Sequence, residues 1–142
     1  MKPDDYLLIK NQLCFPLYTA ARKVVSAYTP YLQPLNLTYT QYITMLVLWE
    51  KKELTVGELC KTLYLDNGTI TPLLKKLQSY GYIQKKRDEK DERIVHISLT
   101  DEGAALKEKA VEIPSQLSNC LSLTQEESIS LYNLLYKIID KI

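Results

Sequence analysis

The chain is short of the residues that mark several common functions. It has one histidine, and its three cysteines, Cys14, Cys60 and Cys120, form no Cys-x-x-Cys pair. That excludes an ordinary zinc site, and three scattered thiols are not a disulfide framework. Four glycines and six prolines in 142 residues are too few for a low-complexity or loop-dominated chain. No run of about 18 apolar residues exists, so no membrane-spanning helix and no membrane partner are expected. Met1-Lys2-Pro3-Asp4-Asp5 lacks the basic-then-apolar order of a signal peptide. A cytoplasmic location follows as the expectation, with thiols normally reduced and any disulfide a signal rather than a staple. Charge of one sign is lacking too, since the net charge is +1 and the pI about 7.6. Any contact with nucleic acid must therefore come from a local basic patch. Phosphate loops, Ser/His/Asp patterns and paired carboxylates are absent. No catalytic residue, metal or cofactor is expected, and the chain does not read as an enzyme.

What is present is a compact helical pattern. Hydrophobic residues make 46% and charged residues 25%, enough for one globular domain without staples. Leu13, Leu17, Ala20, Ala21 and Val24 recur at helical spacing, with Thr29-Pro30 expected to interrupt and Pro34-Leu35-Asn36 to break again. Leu37 to Glu50 predicts a second helix with Tyr42, Met45/Leu46 and Trp49 on one stripe. Thr55 and Glu58 form a capping box before Val56, Leu59, Cys60 and Leu63, and Cys60 is expected in the core. A turn over Tyr64 to Gly68, with Asp66 or Asn67 as cap, leads to a helix from about Thr69 to Tyr80. Ile70, Leu73, Leu74 and Leu77 face inward there, and Gly81 stops it.

Tyr82–Arg87 and Arg93–Leu99 read as a hairpin around the charged, solvated connector Asp88-Glu89-Lys90-Asp91-Glu92, with His96 facing solvent. Thr100 caps a further helix carrying Leu106, Ala110, Ile113, Leu117 and Leu121, which Pro114 should kink. A second Thr-x-x-Glu box at Thr124 opens a last helix with Leu131, Leu134, Leu135, Ile138, Ile139 and Ile142 on one face. The fold class expected is mainly α with a small β-hairpin wing, a winged helix-turn-helix. Both chain ends carry more apolar surface than a small domain can cover, which suggests a homodimer built from the terminal helices.

Between Lys75 and Arg93 stand seven basic and four acidic residues. The helix after the turn presents Asn67, Thr69 and Thr71 near its start and Lys75 and Lys76 behind. That arrangement suits base edges first and phosphates second. Charge alone would fit an ordinary solvated helix. The order helix, turn, helix, glycine stop and basic hairpin favours double-stranded DNA as the partner.

The run Leu63-Tyr64-Leu65-Asp66-Asn67-Gly68-Thr69-Ile70-Thr71-Pro72-Leu73-Leu74-Lys75-Lys76-Leu77 resembles the recognition segment of MarR-family regulators. Asp91-Glu92-Arg93 followed by Leu99-Thr100-Asp101-Glu102-Gly103 resembles that family's wing signature. Asn11-Gln12-Leu13-Cys14-Phe15, Leu37-Thr38-Tyr39 and Glu112-Ile113-Pro114 are similar to the organic-hydroperoxide-sensing branch. The resemblance spans nearly the whole chain.

It implies one domain over 1–142, with dimerisation helices at about 1–35 and 101–142 and the winged helix-turn-helix at about 37–100. It implies a repressor dimer on a pseudo-palindromic operator. The DNA-binding residues would be Asp66, Asn67, Thr69, Thr71, Lys75, Lys76, Lys86, Arg87, Asp91 and Arg93. Arg93 would enter a minor groove with Asp91 positioning the wing. Asn67 stands where that branch usually has Ser, so the operator read can differ.

By composition Cys14 is only a small apolar residue on a helix. The resemblance makes it the peroxide-sensing thiolate, with Tyr28 and Tyr39 as hydroxyl donors to the sulfur and Tyr18 as a further pocket aromatic. Pro16 either kinks the first helix or sets its start beside Cys14, where unpaired N–H groups would favour a thiolate. Cys120, placed as in the two-cysteine subgroup, would be the partner subunit's resolving thiol. Oxidation by an organic hydroperoxide would then release the operator. Alternatives are a MarR-type repressor gated by a small aromatic ligand, a broader thiol-based stress or virulence regulator, and a thiol peroxidase for which no motif exists.

Overall fold

The computed structural model describes residues 2–142. The chain divides into two compact units, Met1–Ala110 and Val111–Ile142.

In the first unit, two short 3-10 turns, Pro3–Leu7 and Ile9–Asn11, precede α1 (Cys14–Leu32). Pro16 is the third residue of α1, where its missing N–H has no helical partner to lose. It therefore sets the helix start beside Cys14 rather than kinking it. The interruption expected at Thr29-Pro30 does not occur: α1 continues through Pro30 to Leu32, its only buried residue. Pro30 lies in the last turn, so a single ladder bond is forfeited. The chain breaks over Gln33–Leu35 and turns at Asn36, which is left-handed with φ 56°.

Helix α2 (Tyr39–Lys51) is capped reciprocally by Thr38 and Gln41. Tyr42, Met45, Leu48 and Trp49 are buried, whereas Leu46, expected on the same stripe, is 41% exposed. The sequence pattern does not reveal β1 (Glu53–Thr55), which is three residues long and defined only by its pairing. Helix α3 (Val56–Leu63) has the expected Thr55 capping box. Helix α4 (Asn67–Ser79) begins two residues earlier than expected, because Asp66 caps it through the Thr69 amide at 2.8 Å. Its inward residues Ile70, Leu73, Leu74 and Leu77 are all buried, and Gly81 follows with φ 77°.

Strands β2 (Ile83–Arg87) and β3 (Val95–Leu99) form the wing, and β1 joins them in an antiparallel sheet of order β1-β3-β2. The register sets His96 between Thr55 on β1 and Lys86 on β2. Helix α5 (Asp101–Ala110) is capped by the Thr100 hydroxyl, which accepts from the Gly103 amide at 3.0 Å. The buried Trp49 indole donates to the Gly103 carbonyl at 2.8 Å. A Cβ on Gly103 would sit 2.0 Å from the Tyr82 carbonyl oxygen, so only glycine fits there.

The second unit holds α6 (Ile113–Leu121) and α7 (Gln125–Ile139). The single helix kinked at Pro114 is instead two helices. Pro114 lies in the first turn of α6, the place where proline starts a helix rather than bends one. Leu121, expected on the inward stripe, is 42% exposed. Thr124 and Glu127 cap α7 as expected, and no residue of α7 is buried. Among the described residues, no helix is long and apolar enough to cross a membrane.

Candidate DNA interface and thiol site

The candidate DNA surface is built on α4. Asn67, Thr69, Thr71, Lys75 and Lys76 are all exposed on the side opposite the buried leucines. The Asp66 carboxylate is committed to the Thr69 amide, so it fixes where the helix begins. Cys60 is not the core residue expected. It is half-buried in the last turn of α3, and its Sγ lies 3.6 Å from the Asn67 Oδ1 it donates to. That contact holds the side chain of the first α4 residue against the preceding helix. Lys76 places its ammonium 5.3 Å from the centre of the Tyr80 ring, a cation–π contact that limits its swing.

The wing tip is more ordered than its charged sequence implied. Arg93 donates from Nε and Nη2 to the two Asp91 carboxylate oxygens at 3.0 and 2.9 Å. This fork fixes the guanidinium plane while the Arg93 side chain stays 90% exposed. The paired guanidinium holds the Asp91 carboxyl below its usual range, and Asp91 in turn raises Arg93. Arg87 donates to the Glu92 carbonyl at 2.8 Å, and Lys86 lies 3.6 Å from Glu89. A cleft of about 550 Å³ runs between α4 and the wing, with Asn67, Thr71, Arg87 and Arg93 among its lining residues. Asn67 and Thr71 of α4 thus face the same cleft as Arg87 and Arg93 of the wing, whereas Lys86 lines a separate cavity with His96 and Glu53.

Two expectations for the wing are corrected. The connector is not uniformly solvated, since Asp88 and Asp91 are half-buried and bonded. Nor does His96 merely face solvent. Its Nε2 lies 3.0 Å from Asp88 Oδ2, and its Nδ1 lies 3.7 Å from Glu53 Oε1. Asp88 is eight residues away along the chain and Glu53 sits on a strand without a sequence signature, so no local signal marked this cluster.

The thiol site has a different character. Cys14 is the first residue of α1 and is exposed, among helix N–H groups that have no ladder partner. Tyr18, one turn on, is exposed with the Arg22 guanidinium 5.4 Å from its ring centre. Tyr28 packs on Tyr39 at 4.8 Å between ring centres and on Tyr42 at 5.6 Å. Burial, then the two neighbouring phenols, push Tyr28 up to about 12. Burial likewise raises Tyr39. Both hydroxyls therefore remain protonated donors at neutral pH.

Tyr28 is fourteen residues from Cys14 on one continuous helix, about 21 Å at 1.5 Å per residue. Within one chain these groups cannot meet. Cys120 lies in α6, in the second unit, exposed and with its Sγ 3.4 Å from the Gln116 carbonyl. Among the described residues, no cluster of His, Cys, Asp or Glu could hold a metal ion.

Residues 26–110 match the family described as transcriptional regulator SarA/Rot. The chain is 46% identical over 136 residues to the organic hydroperoxide resistance transcriptional regulator of Bacillus subtilis, covering 96% of this chain and 92% of that protein. Among solved structures it is similar to reduced AbfR of Staphylococcus epidermidis bound to DNA. The TM-score is 0.80 at 31% identity, over 97% of this chain and 96% of that one. Disulfide-formed AbfR gives a TM-score of 0.68 at 31% identity, over 96% of each chain. Mutant MarR from E. coli complexed with operator DNA gives 0.81 at 29% identity, over 89% and 92%.

Proposed function

The chain belongs to the MarR/SarA family of winged helix-turn-helix transcription regulators, which are not enzymes, and from that premise we propose that it is a homodimeric repressor released from its operator when an organic hydroperoxide oxidises Cys14. The observation that carries this reading is the position of Cys14: an exposed thiol at the first turn of α1, in a chain so similar to an organic hydroperoxide regulator.

The terminal segments supply the dimer. Leu7, Ile9 and Leu13 before α1, and Leu131, Leu134, Ile138 and Ile139 on α7, are exposed apolar residues that a second copy would cover. The separation along α1 then gives Tyr28 and Tyr39 their role: the hydroxyls that face Cys14 come from the partner subunit. The two α4 helices enter successive major grooves, about 34 Å apart, presenting Asn67, Thr69 and Thr71 to base edges and Lys75 and Lys76 to phosphates. Lys86 and Arg87 contact the backbone beside them, and Arg93, held by Asp91, enters the flanking minor groove.

The chemistry balances with no cofactor. The Cys14 thiolate attacks the outer peroxide oxygen, the O–O bond breaks, and an alcohol leaves with a proton. Cys14 becomes a sulfenic acid. The Cys120 thiol of the other subunit attacks that sulfur, a disulfide forms and water leaves. The bond shifts the terminal helices and spoils the spacing of the recognition helices. A loss of about 3 kcal/mol would release DNA more than a hundredfold.

The test adds one equivalent of organic hydroperoxide to the protein and reads non-reducing gels, intact mass and DNA release. A dimer-sized band lost in both Cys14→Ser and Cys120→Ser supports the two-cysteine switch. A Cys14 adduct that ignores Cys120→Ser points to capping by a small thiol. No modification at Cys14 sinks the redox reading. In that case a repressor gated by a small aromatic ligand is favoured, for which a groove of about 520 Å³ beside Tyr39, Val25 and Leu37 offers a seat.

A further inference from the structure

Resting on the reading of Arg93 as the wing's DNA contact, we propose that His96 is a positioning residue for that arginine, acting through Asp88. The Asp88 carboxylate does two things at once. Its Oδ1 accepts the amides of Lys90 at 2.8 Å and Asp91 at 3.0 Å, which folds the wing tip into a turn. Its Oδ2 meets His96 Nε2 at 3.0 Å. These hydrogen bonds, that from His96 first, hold the Asp88 carboxyl below its ordinary range, so it is an acceptor only and the proton lies on Nε2. The carboxylate plane that sets the turn is thereby tied to the middle strand of the sheet.

From the turn the connection continues without a gap. The Asp91 amide is held by Asp88, and Asp91 Oδ1 accepts both the Arg93 amide at 3.1 Å and Arg93 Nε at 3.0 Å. The Asp88 amide donates to the Ile94 carbonyl at 2.9 Å, and the Ile94 amide to the Asp91 carbonyl at 3.0 Å, closing the tip. The Arg93 side chain itself is 90% exposed, so the Asp91 fork is what aims it. His96 is half-buried on β3 and faces carboxylates of two other elements, Glu53 of β1 at 3.7 Å as well as Asp88, with Lys86 of β2 as its neighbour in register. The chain His96, Asp88, Asp91, Arg93 converts the rigidity of a three-stranded sheet into the direction of one guanidinium. Pre-aiming that group removes the ordering cost that a free arginine would meet on entering a groove.

The experiment uses full-length protein and a duplex selected by the wild type from a random pool, made with A·T or with G·C at the outer positions that the wings reach. Affinity is read by fluorescence anisotropy. Wild type prefers A·T flanks, and Arg93→Ala abolishes the preference with about a tenfold loss on the A·T duplex. His96→Leu loses about fivefold on the A·T duplex and little on the G·C one. His96→Gln, whose Nε2 reaches Asp88 in the same way, restores the preference. Combining His96→Leu with Arg93→Ala adds nothing further.

If Arg93→Ala loses the preference and His96→Leu keeps it, this inference falls and the functional reading stands. The inference falls in the same way if His96→Leu lowers the melting temperature alone. If no duplex is selected, or Arg93→Ala keeps the preference, the reading of the wing falls and the inference with it. Should His96→Leu fail to fold, Asp88→Ala stands in for it and is held to the same outcomes.

Discussion

The middle of the chain and its ends obey different rules. Between α2 and β3 most large apolar residues are hidden, Leu46, Tyr64 and Ile94 excepted: Leu48, Leu59, Ile70, Leu77, Ile83 and Ile97 are all 1% exposed or less. Polar groups there are spoken for as well, from the Thr55 and Asp66 caps to the Trp49 indole and the Asp91–Arg93 fork. At the ends the balance reverses. Leu7 is 85% exposed, Leu13 81% and Leu134 59%, and α7 buries nothing. A single chain therefore completes the packing of its helix-turn-helix and wing and leaves the apolar surfaces at its ends open. The difference bears on the proposed sensor: Cys14 and Tyr28 stand about 21 Å apart along one helix, so the contact proposed between them needs a second chain.

The largest blow to the completed half is a single methyl. Gly103→Ala would drive a Cβ to 2.0 Å from the Tyr82 carbonyl, against backbone that cannot rotate away. Helix α5 must shift, and Trp49 loses its buried acceptor with it. Thermal or urea unfolding should show a loss of about 3 kcal/mol. A loss below about 0.5 kcal/mol would mean that this half is looser than its packing indicates. At the open end a far harsher change should spare the fold. Leu134→Glu puts a charge on α7, and circular dichroism should report an unchanged helix content. Sedimentation should report weaker dimers, by about 2 kcal/mol per copy and so about 4 kcal/mol or nearly a thousandfold for the pair, from the lost apolar burial. Unchanged dimerisation would move the interface off this face of α7.

The same contrast explains what could be read from the amino-acid order. Helix starts at Thr55 and Thr124 and the stop at Gly81 rest on contacts three or four residues apart, and those capping boxes and the inward stripe of α4 stand where the pattern puts them, whereas the Thr38 and Gln41 box of α2 shows only in the structure. The motif ending in Gly103 was legible as a resemblance, but its cause, a carbonyl twenty-one residues earlier, was not. Strand β1 was invisible because three residues carry no alternation, and with it went Glu53 and half the surroundings of His96. Pro30 and Pro114 depart from the expected pattern for one reason: proline matters by its place within the helix, which composition does not reveal. On the thiol side the residues could be named but not assembled, since Cys14 and Tyr28 share a helix and not a neighbourhood.

The smallest expected effect concerns acid, and it separates the wing from the rest of the completed half. Asp88 and Asp91 both have carboxyls held below their ordinary value of 3.8, the first by His96 and the second by Arg93. A depressed folded value means a contribution fully present above the ordinary value and lost as pH falls through the folded one. Between pH 8 and pH 5 the Asp91–Arg93 fork should therefore not change. Amide chemical shifts of Lys90, Asp91 and Arg93 would check this, since each of these N–H groups donates to one of the two carboxylates. The Arg93 amide should stay flat above pH 5, and all three should move together as pH falls below 3.8. Movement of Arg93 alone, with Lys90 still, would show that the fork opens independently of the Asp88 turn. It would also break the connection from the sheet to the wing arginine at its last link.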